Sequence, residues 1–229
     1  MKRALLVVAL VAAAFAARVE TAAATTECRG FLTCVPVAGP WVVVPASHAT
    51  LRPQVQYQLT CPRGFVVGGI DAELTDRAID VWFIGASGSP VSPGRTTSRT
   101  IVFVATYVGT GATAPTFRPH AGCIPASGGG RRTPTSVSSV VPPGKPTVRR
   151  VRTVRVTGSR TVSVACQRGE HLVAAYSATG LRTAKPPAQN LVASLSAHQR
   201  IAGNHIAVTA RGGGGRGVVQ VAAVCAGGR

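Results

Sequence analysis

The feature that most constrains the fold of this chain is a pair of similar segments that lie 166 − 61 = 105 residues apart. The first reads Cys-Pro-Arg-Gly from Cys61, the second reads Cys-Gln-Arg-Gly from Cys166, and an apolar run follows each. A later cysteine closes each segment at nearly the same distance, since 123 − 61 = 62 for Cys123 and 225 − 166 = 59 for Cys225. This spacing predicts two related units in tandem, each closed by its own disulfide.

Residues 1–24 have the pattern of a secretory signal peptide. The chain begins with Met-Lys-Arg, residues 4–17 are an unbroken apolar run, and small residues follow at 22–24. This order of charged, apolar and small residues is typical of exported proteins, and the run is shorter than the ~20 residues that a membrane span needs. We expect cleavage after Ala24, with Ala17 as the alternative. The mature protein is then secreted or at the cell-envelope exterior, and it is not an integral membrane protein.

All six cysteines lie after the predicted signal peptide. An even number of cysteines in an exported chain indicates disulfides, because they persist in an oxidising compartment. Six cysteines allow 15 pairings, and the repeated spacing favours one of them. Metal binding is the alternative, but the chain contains no Cys-x-x-Cys segment. The predicted pairs are Cys28–Cys34, Cys61–Cys123 and Cys166–Cys225.

Strand patterns dominate the mature chain, and sustained helical spacing of apolar residues is scarce. Short β-branched runs alternate with Gly, Pro and Ser clusters, which is typical of an all-β sandwich or barrel. Residues 126–146 are rich in Gly, Pro and Arg, and this composition predicts a linker or long surface loop. The sequence therefore predicts an all-β fold of two disulfide-stapled, sandwich- or barrel-like domains, residues 25–125 and 147–229. It leaves open whether these are independent or form a pair that shares an interface.

A Cys-Pro-x-Gly turn in the first unit leads into a strand with a glycine pair, and a later strand ends on cysteine. The residues in this pattern are Cys61, Pro62, Gly64, Val67, Gly68, Gly69 and Cys123. The pattern resembles a recurring module of secreted bacterial proteins, especially actinobacterial ones. The second unit keeps Cys166, Gly169 and Cys225, but it has Gln167 in place of the proline and lacks the glycine pair. The resemblance implies an extracellular β fold held by a disulfide, and it carries over no activity.

The positive charge is concentrated in the second unit. Residues 25–125 contain seven Arg and five acids, so 7 − 5 = +2, whereas residues 126–229 contain 15 Arg and Lys against Glu170 alone, so 15 − 1 = +14. A field of one sign raises the local concentration of anions. We therefore expect anionic cell-wall or surface polymers as partners. The alternative is that the charge reflects composition and solubility alone.

The most basic stretch is a predicted strand that contains Arg149, Arg150, Arg152 and Arg155. Alternation places Arg150 and Arg152 on one face and the other two on the opposite face. These four are the candidate polyanion-binding residues. They would equally protect an edge strand from aggregation. Nucleic acid is disfavoured, because its binding uses aromatic platforms among the cations and residues 147–169 contain none.

Four of the five acids in the first unit lie within ten residues, at Asp71, Glu73, Asp76 and Asp80. Asp71 and Glu73 share one face of a strand, and carboxylates held ~5–9.5 Å apart can hydrolyse glycosidic bonds. Carboxylate oxygens also bind calcium, so the four are weak calcium candidates, although their spacing matches no calcium loop. The sequence favours a third interpretation, a solvated hairpin face with nearby arginines as ion-pair partners.

No histidine is spaced as in a zinc helix, and the chain contains no Gly-x-Ser-x-Gly segment. We therefore expect no catalytic residues and no cofactor. Trp82 lies near Asp76 and Asp80, a combination that suits saccharide binding, but it belongs to an apolar run and core packing is the favoured interpretation. The histidines are His48, His120, His171, His198 and His205.

These features predict an exported, non-enzymatic structural or adhesive β protein. The second hypothesis is a module that binds carbohydrate or an anionic cell-wall polymer. A hydrolase that uses Asp71 and Glu73 is third.

Overall fold

The computed structural model of the chain describes residues 25–46, 52–84, 99–126 and 147–227. These residues are mostly strand, with one short helix, α1 (Gln189–Ala193), so the predicted all-β fold is confirmed. The predicted signal peptide and residues 127–146 of the predicted linker lie outside the described residues. Within the described ranges, no helix is long and apolar enough to cross a membrane.

The strands are divided between a first half, residues 25–126, and a second half, residues 147–227. The first half contains β1 (Val35–Ala38), β2 (Trp41–Val43), β3 (Val55–Thr60), β4 (Phe65–Leu74), β5 (Ile79–Ile84), β6 (Thr100–Tyr107) and β7 (Thr116–Pro125). The second half contains β8 (Thr147–Val156), β9 (Ser159–Ala165), β10 (Glu170–Leu181), β11 (Ser196–Ala202), β12 (His205–Arg211) and β13 (Gly217–Gly227).

One sheet, called the large sheet below, runs through both halves. Its strands follow in the order β4-β7-β2-β10-β13-β8, and every neighbouring pair is antiparallel. β1 pairs with the same edge of β7 as β2 does, because His120 of β7 lies between Ala38 of β1 and Asp71 of β4. Two small sheets complete the fold, β3-β6-β5 in the first half and β9-β12-β11 in the second.

The two small sheets cover opposite faces of the large sheet. Val42, Phe117 and Ala178 belong to the core under β3-β6-β5, and Val219 belongs to the core under β9-β12-β11. Ala178 lies directly opposite Gln220 on the neighbouring strand. Because side chains alternate along a strand, Val219 and Gln220 point to opposite faces. We call the face of Ala178 and Gln220 the front face and the face of Val219 the back face.

The halves share one strand plan. β4-β7 and β10-β13 lie in the same order, with β2 and β8 in corresponding third positions. Each pair also has a register shift at the matching place, Val67/Gly69 in β4 and Leu172/Ala174 in β10. Corresponding strands run in opposite directions and their small sheets lie on opposite faces. The strand arrangements of the two halves are therefore related by a rotation of 180° and a shift along the rotation axis. This axis lies in the plane of the large sheet, perpendicular to its strands.

The disulfides occupy matching positions. Cys61 follows β3 and bonds to Cys123 of β7, and Cys166 follows β9 and bonds to Cys225 of β13. The third bond joins Cys28 to Cys34. These are the three pairs that the spacing predicts. Each of the two long bonds ties a small sheet to the large one.

The halves are in direct contact. β2 pairs with β10 through Trp41–Leu181 and Val42–Gly180. The Gln220 side chain accepts a hydrogen bond from the Gln58 N–H at 2.6 Å and donates one to the Gln58 carbonyl at 3.0 Å. Gln58 belongs to β3, an edge strand of its small sheet, so one buried amide side chain pairs with that edge as a neighbouring strand would.

Candidate functional site

Five exposed arginines lie at one end of the strands of the second half. β8 and β10 both reach this end beside Gly217, which pairs with Val156 and Leu181. Ser159, at the start of β9, pairs with Arg211, at the end of β12, so the second small sheet ends here as well. We call this surface the arginine end. It consists of Arg155, Arg160, Arg182, Arg211 and Arg216.

The one acid of the second half lies at the opposite end of its strands. Glu170 begins β10, and the twelve residues of this strand span about 35 Å at the usual rise of ~3.3 Å per residue. The Glu170 carboxylate accepts hydrogen bonds from the Gln167 N–H at 2.7 Å and from Arg150 Nη2 at 2.8 Å. The Gln167 hydrogen bond and then Arg150 lower the pKa of Glu170, against an opposing effect of burial. The arginine end therefore has no counter-ion from its own half.

The four arginines of β8 differ in their surroundings. Arg149 donates to Gln56 Oε1 at 2.8 Å and lies over the Tyr176 ring, 5.1 Å from its centroid. Burial lowers the pKa of Arg149. Arg150 is occupied by Glu170, whereas Arg152 and Arg155 are exposed. Two of the four predicted polyanion-binding residues thus support the fold, and two face solvent.

Asp71 and Glu73 share the back face, where they meet a histidine of β7. His120 lies directly across from Asp71. Its Nε2 atom is 2.9 Å from Glu73 Oε1, a contact that lacks hydrogen-bond geometry, and its Nδ1 atom is 3.6 Å from Glu27 Oε1. His120 is 6% exposed and Glu27 is 4% exposed. The pair that a hydrolase would use is therefore held against a buried histidine.

The segment that carries Glu27 closes this cluster from outside. A side chain at Gly69 or Gly122 would collide with the Glu27 carbonyl, so these glycines allow the segment to lie directly on the sheet. The Asp71 carboxylate accepts hydrogen bonds from the Thr26 N–H and hydroxyl at 2.6 and 3.1 Å. Burial raises the pKa of Asp71, but hydrogen bonds from Thr26 and from the Ala72 N–H outweigh it and hold the pKa below its ordinary value.

The four weak calcium candidates are not brought together as one cluster. Asp76 accepts hydrogen bonds from the Ala78 N–H at 2.8 Å and the Tyr107 hydroxyl at 3.0 Å, and Asp80 is exposed on β5. Among the described residues, one group of three potential ligands is close enough to share an ion. It consists of Cys166, Glu170 and Cys225, whose sulfurs already form a disulfide.

The two tryptophans differ in burial. Trp41 is 1% exposed, with the Arg118 guanidinium 5.9 Å from its ring centroid. Trp82 is 36% exposed and does not belong to the core. The expectation that Trp82 packs in the core is wrong, because Val81 takes the inward position on β5 and alternation turns Trp82 outward.

The other histidines and the groove between the halves show no catalytic arrangement. His171, His198 and His205 are exposed, and His48 lies outside the described residues. A groove of about 530 Å³ lies between α1 and the loop before β7. None of its lining residues titrates. They are Val43, Ala112, Thr113, Ala114, Gln189, Asn190, Val192, Ala193 and Leu195.

Comparison of the chain with protein families, with curated proteins and with solved structures finds no match in any of the three.

Sequence reasoning missed the arginine end, because its members are scattered from 155 to 216 and meet through strand pairing alone. The charge difference between the halves was the available signal. It also missed the contact of Glu27 with His120, which are 120 − 27 = 93 residues apart.

Proposed function

We propose that this chain is an exported, non-enzymatic structural or adhesive β protein that holds an anionic polymer of the cell exterior at its arginine end. The observation that carries the proposal is that five exposed arginines lie at one end of the strands and Glu170 lies at the other. The five are Arg155, Arg160, Arg182, Arg211 and Arg216. Repeated phosphate or carboxylate groups on a polymer can meet several guanidinium groups at once, and charge-assisted hydrogen bonds of this kind are stronger than neutral ones.

The surroundings of the acidic cluster support a role without catalysis. Glu27 and His120 are both buried, and the segment around Glu27 lies across the cluster. A general acid or base must come within hydrogen-bond reach of its substrate. The closed cluster instead fastens the N-terminal segment to the sheet, since Asp71 binds Thr26 directly.

The test compares two variants that lose the same charge. In the first, the five arginines of the arginine end are replaced by Gln. In the matched control, five exposed arginines elsewhere are replaced by Gln, namely Arg29, Arg63, Arg77, Arg168 and Arg200. Binding to immobilised peptidoglycan, teichoic acid, lipopolysaccharide and DNA is measured at two salt concentrations.

We expect the first variant to lose more than tenfold in affinity, because each cation near an anionic surface contributes about 1 kcal/mol. The control should lose much less. Binding by the natural protein should fall as salt rises, since screening limits the attraction to ~8 Å at physiological ionic strength. Equal losses in the two variants would mean that net charge alone drives binding. Preference for DNA over the wall polymers would assign a different partner.

A neutral saccharide is the second candidate, on the strength of Trp82. Its ring is partly exposed, and Asp80 lies two residues away on the same face of β5. An aromatic face beside a carboxylate suits a sugar ring. In this case Trp82→Ala should abolish binding to a neutral polysaccharide, whereas the arginine-end variant should bind normally. Unchanged binding by Trp82→Ala would remove this candidate.

A further inference from the structure

Among the described residues, no further strand pairs with the outer edge of β8 or with residues 70–74 of β4, where the Ala72 N–H donates to the Asp71 side chain. β4 forms one edge and β8 the other, and each is ten residues long. An edge strand presents unpaired N–H and C=O groups that can pair with another chain.

The directions of the edge strands suit a second copy of the same chain. β4 is the first and β8 the last of six successive strands, and each strand is antiparallel to its neighbour. Strand direction therefore reverses five times between them, and β4 and β8 run in opposite directions. A copy shifted along the sheet, without rotation, therefore places its β4 antiparallel to β8 of the first and keeps the front and back faces aligned.

The chain already contains a junction of this type. In the large sheet, the first half contributes β4, β7 and β2 in that order, and the second half contributes β10, β13 and β8. β2 and β8 are thus the third strands of their halves, and β4 and β10 are the first strands. The pairing of β2 with β10 therefore corresponds to a pairing of β8 with β4 of the next copy. The operation that relates the two halves would continue the sheet if it were applied again.

The charges on the two edges are complementary. Arg152 lies two residues before Val154, which pairs with Val219, so Arg150 and Arg152 are on the back face. Asp71 and Glu73 lie on the back face of β4. Arg150 and Asp71 are already bound within their own chain, by Glu170 and by Thr26. The charges that would meet on this face when β8 pairs with β4 are therefore those of the exposed Arg152 and the partly exposed Glu73. Pairing β8 with β8 would place like charges together, which is unfavourable for opposed residues, and so would β4 with β4.

We propose that copies of this chain join head to tail, with β8 of one copy against residues 70–74 of β4 in the next, so that the large sheet continues from copy to copy. The contact is heterologous, and repeated contacts of that kind build an open series rather than a closed dimer. The arginines of β8 then repel wrong pairings and favour the acidic edge. This inference does not depend on polymer binding.

Two variants, each blocked at one edge, test the inference. The β8 variant carries Val148→Glu and Arg152→Glu, two exposed positions on the back face. The β4 variant carries Glu73→Gln and Leu74→Arg, and Leu74 is 41% exposed. Circular dichroism and thermal unfolding establish that both are folded. Sedimentation velocity is then measured at low salt for the natural protein, for each variant and for their mixture.

We expect the natural protein to form a concentration-dependent series of species that shortens as salt rises. Each variant alone should stay monomeric, and the mixture should give 1:1 dimers and nothing larger, because it leaves one usable β8 edge and one usable β4 edge. Self-association of either variant alone would show a like-with-like contact and overturn the inference. A natural protein that stays monomeric at every concentration would overturn it as well.

Hydrogen exchange on the natural protein gives a test that needs no variant. On raising the protein concentration, amides of β8 and of residues 70–74 should exchange more slowly, whereas those of β5, an edge of a small sheet, should not change. Protection at one of the two edges alone, or at neither, would contradict head-to-tail pairing.

Discussion

The two halves follow one strand plan but use their outer faces differently. Counting from the closing cysteines, 225 − 123 = 102, so His120 corresponds to Ala222 and Arg118 to Gln220. The opening cysteines are 166 − 61 = 105 residues apart, so Asp71 corresponds to Tyr176. In each half, one face of the large sheet is not covered by that half's own small sheet. In the first half this is the back face, which the N-terminal segment and a buried acid–histidine cluster cover. In the second half it is the front face, which packs against β3 of the first half.

This difference lies outside the strand order that the halves share. Except for β1 and α1, the strands, register shifts and long disulfides of the two halves coincide. The arginine end occurs in the second half alone and the segment over His120 in the first alone, whereas Gln220 joins the second half to Gln58 of the first. The shared parts hold the sheets together, and the unshared parts decide which surface is closed, which is joined and which is free to bind.

The largest expected effect comes from opening one long disulfide in either half. Replacing Cys166 and Cys225 by Ala opens a loop with a separation of 59, and replacing Cys61 and Cys123 opens one of 62. In the chain-entropy model each loss costs about 4 kcal/mol. Urea unfolding of the two double variants should therefore give similar destabilisation.

The matched control for this comparison is the pair Cys28 and Cys34, with a separation of six residues. Its removal should cost about 2 kcal/mol in the same model. A large inequality between the two long loops would break the equivalence of the halves at the level of stability.

The next largest effect is expected for Gly122→Ala, a substitution to which the two halves should respond differently. The new methyl group would collide with the Glu27 carbonyl and push the N-terminal segment away, at a cost of about 3 kcal/mol, near the upper end for overpacking. Its counterpart Val224 already carries a side chain, and Val224→Ala should cost less. Thermal unfolding measures both. Equal tolerance of the two substitutions would show that the segment over Gly122 is not held closely.

The contact between the halves comes third. Gln220→Ala leaves the N–H and C=O of Gln58 without their side-chain partner in a partly buried place, which costs about 2 kcal/mol. Hydrogen exchange should become faster in β3 and remain slow in β12, which lies outside the contact. If exchange rises equally in both strands, the variant has loosened the whole protein and the contact is not local.

The smallest effect is the pH dependence that Asp71 contributes in the first half. Because the pKa of Asp71 is lower in the folded protein, its contribution to stability is complete above the ordinary carboxyl range and is lost as pH falls through the folded pKa. Acid should therefore loosen the segment at Thr26 first. Asp71→Asn should remove this dependence below about pH 4. Pepsin is active in acid and cleaves beside aromatic residues, so cleavage near Phe31 is compared between the natural protein and Asp71→Asn at each acid pH. Equal rates for the two proteins at every pH would contradict the assignment.

Local patterns in the sequence were sufficient for most strands and for the disulfide pairs. β6 shows why, since Ile101, Phe103, Ala105 and Tyr107 alternate into the core and β-branched residues lie between them. The apolar run at residues 191–195 favoured a strand, and this prediction is wrong, because α1 covers Gln189–Ala193 and β11 begins only at Ser196. Cysteine spacing carried the pairing because both long bonds join strands at matching positions. The two-unit interpretation of the sequence remains an inference from spacing, register and strand order.

Neighbours across the sheet could not be predicted, because alternation gives the faces of a strand but not its partners. Nothing local indicates that β2 lies beside β10, or that Gln220 reaches Gln58 across 162 residues. Trp82 shows a related limit. In a continuous apolar run every position fits the core, so the run does not say which side chain turns outward.

The positions of the long disulfides have a mechanical consequence. When a protein attached to a surface is pulled at its ends, chain inside a disulfide loop cannot extend until the covalent bond breaks. The loops from Cys61 to Cys123 and from Cys166 to Cys225 withhold separations of 62 and 59 residues, each about 200 Å of contour at ~3.3 Å per residue. Tension would draw out only the residues outside the loops, and the strands enclosed by each long disulfide would stay tied together under load.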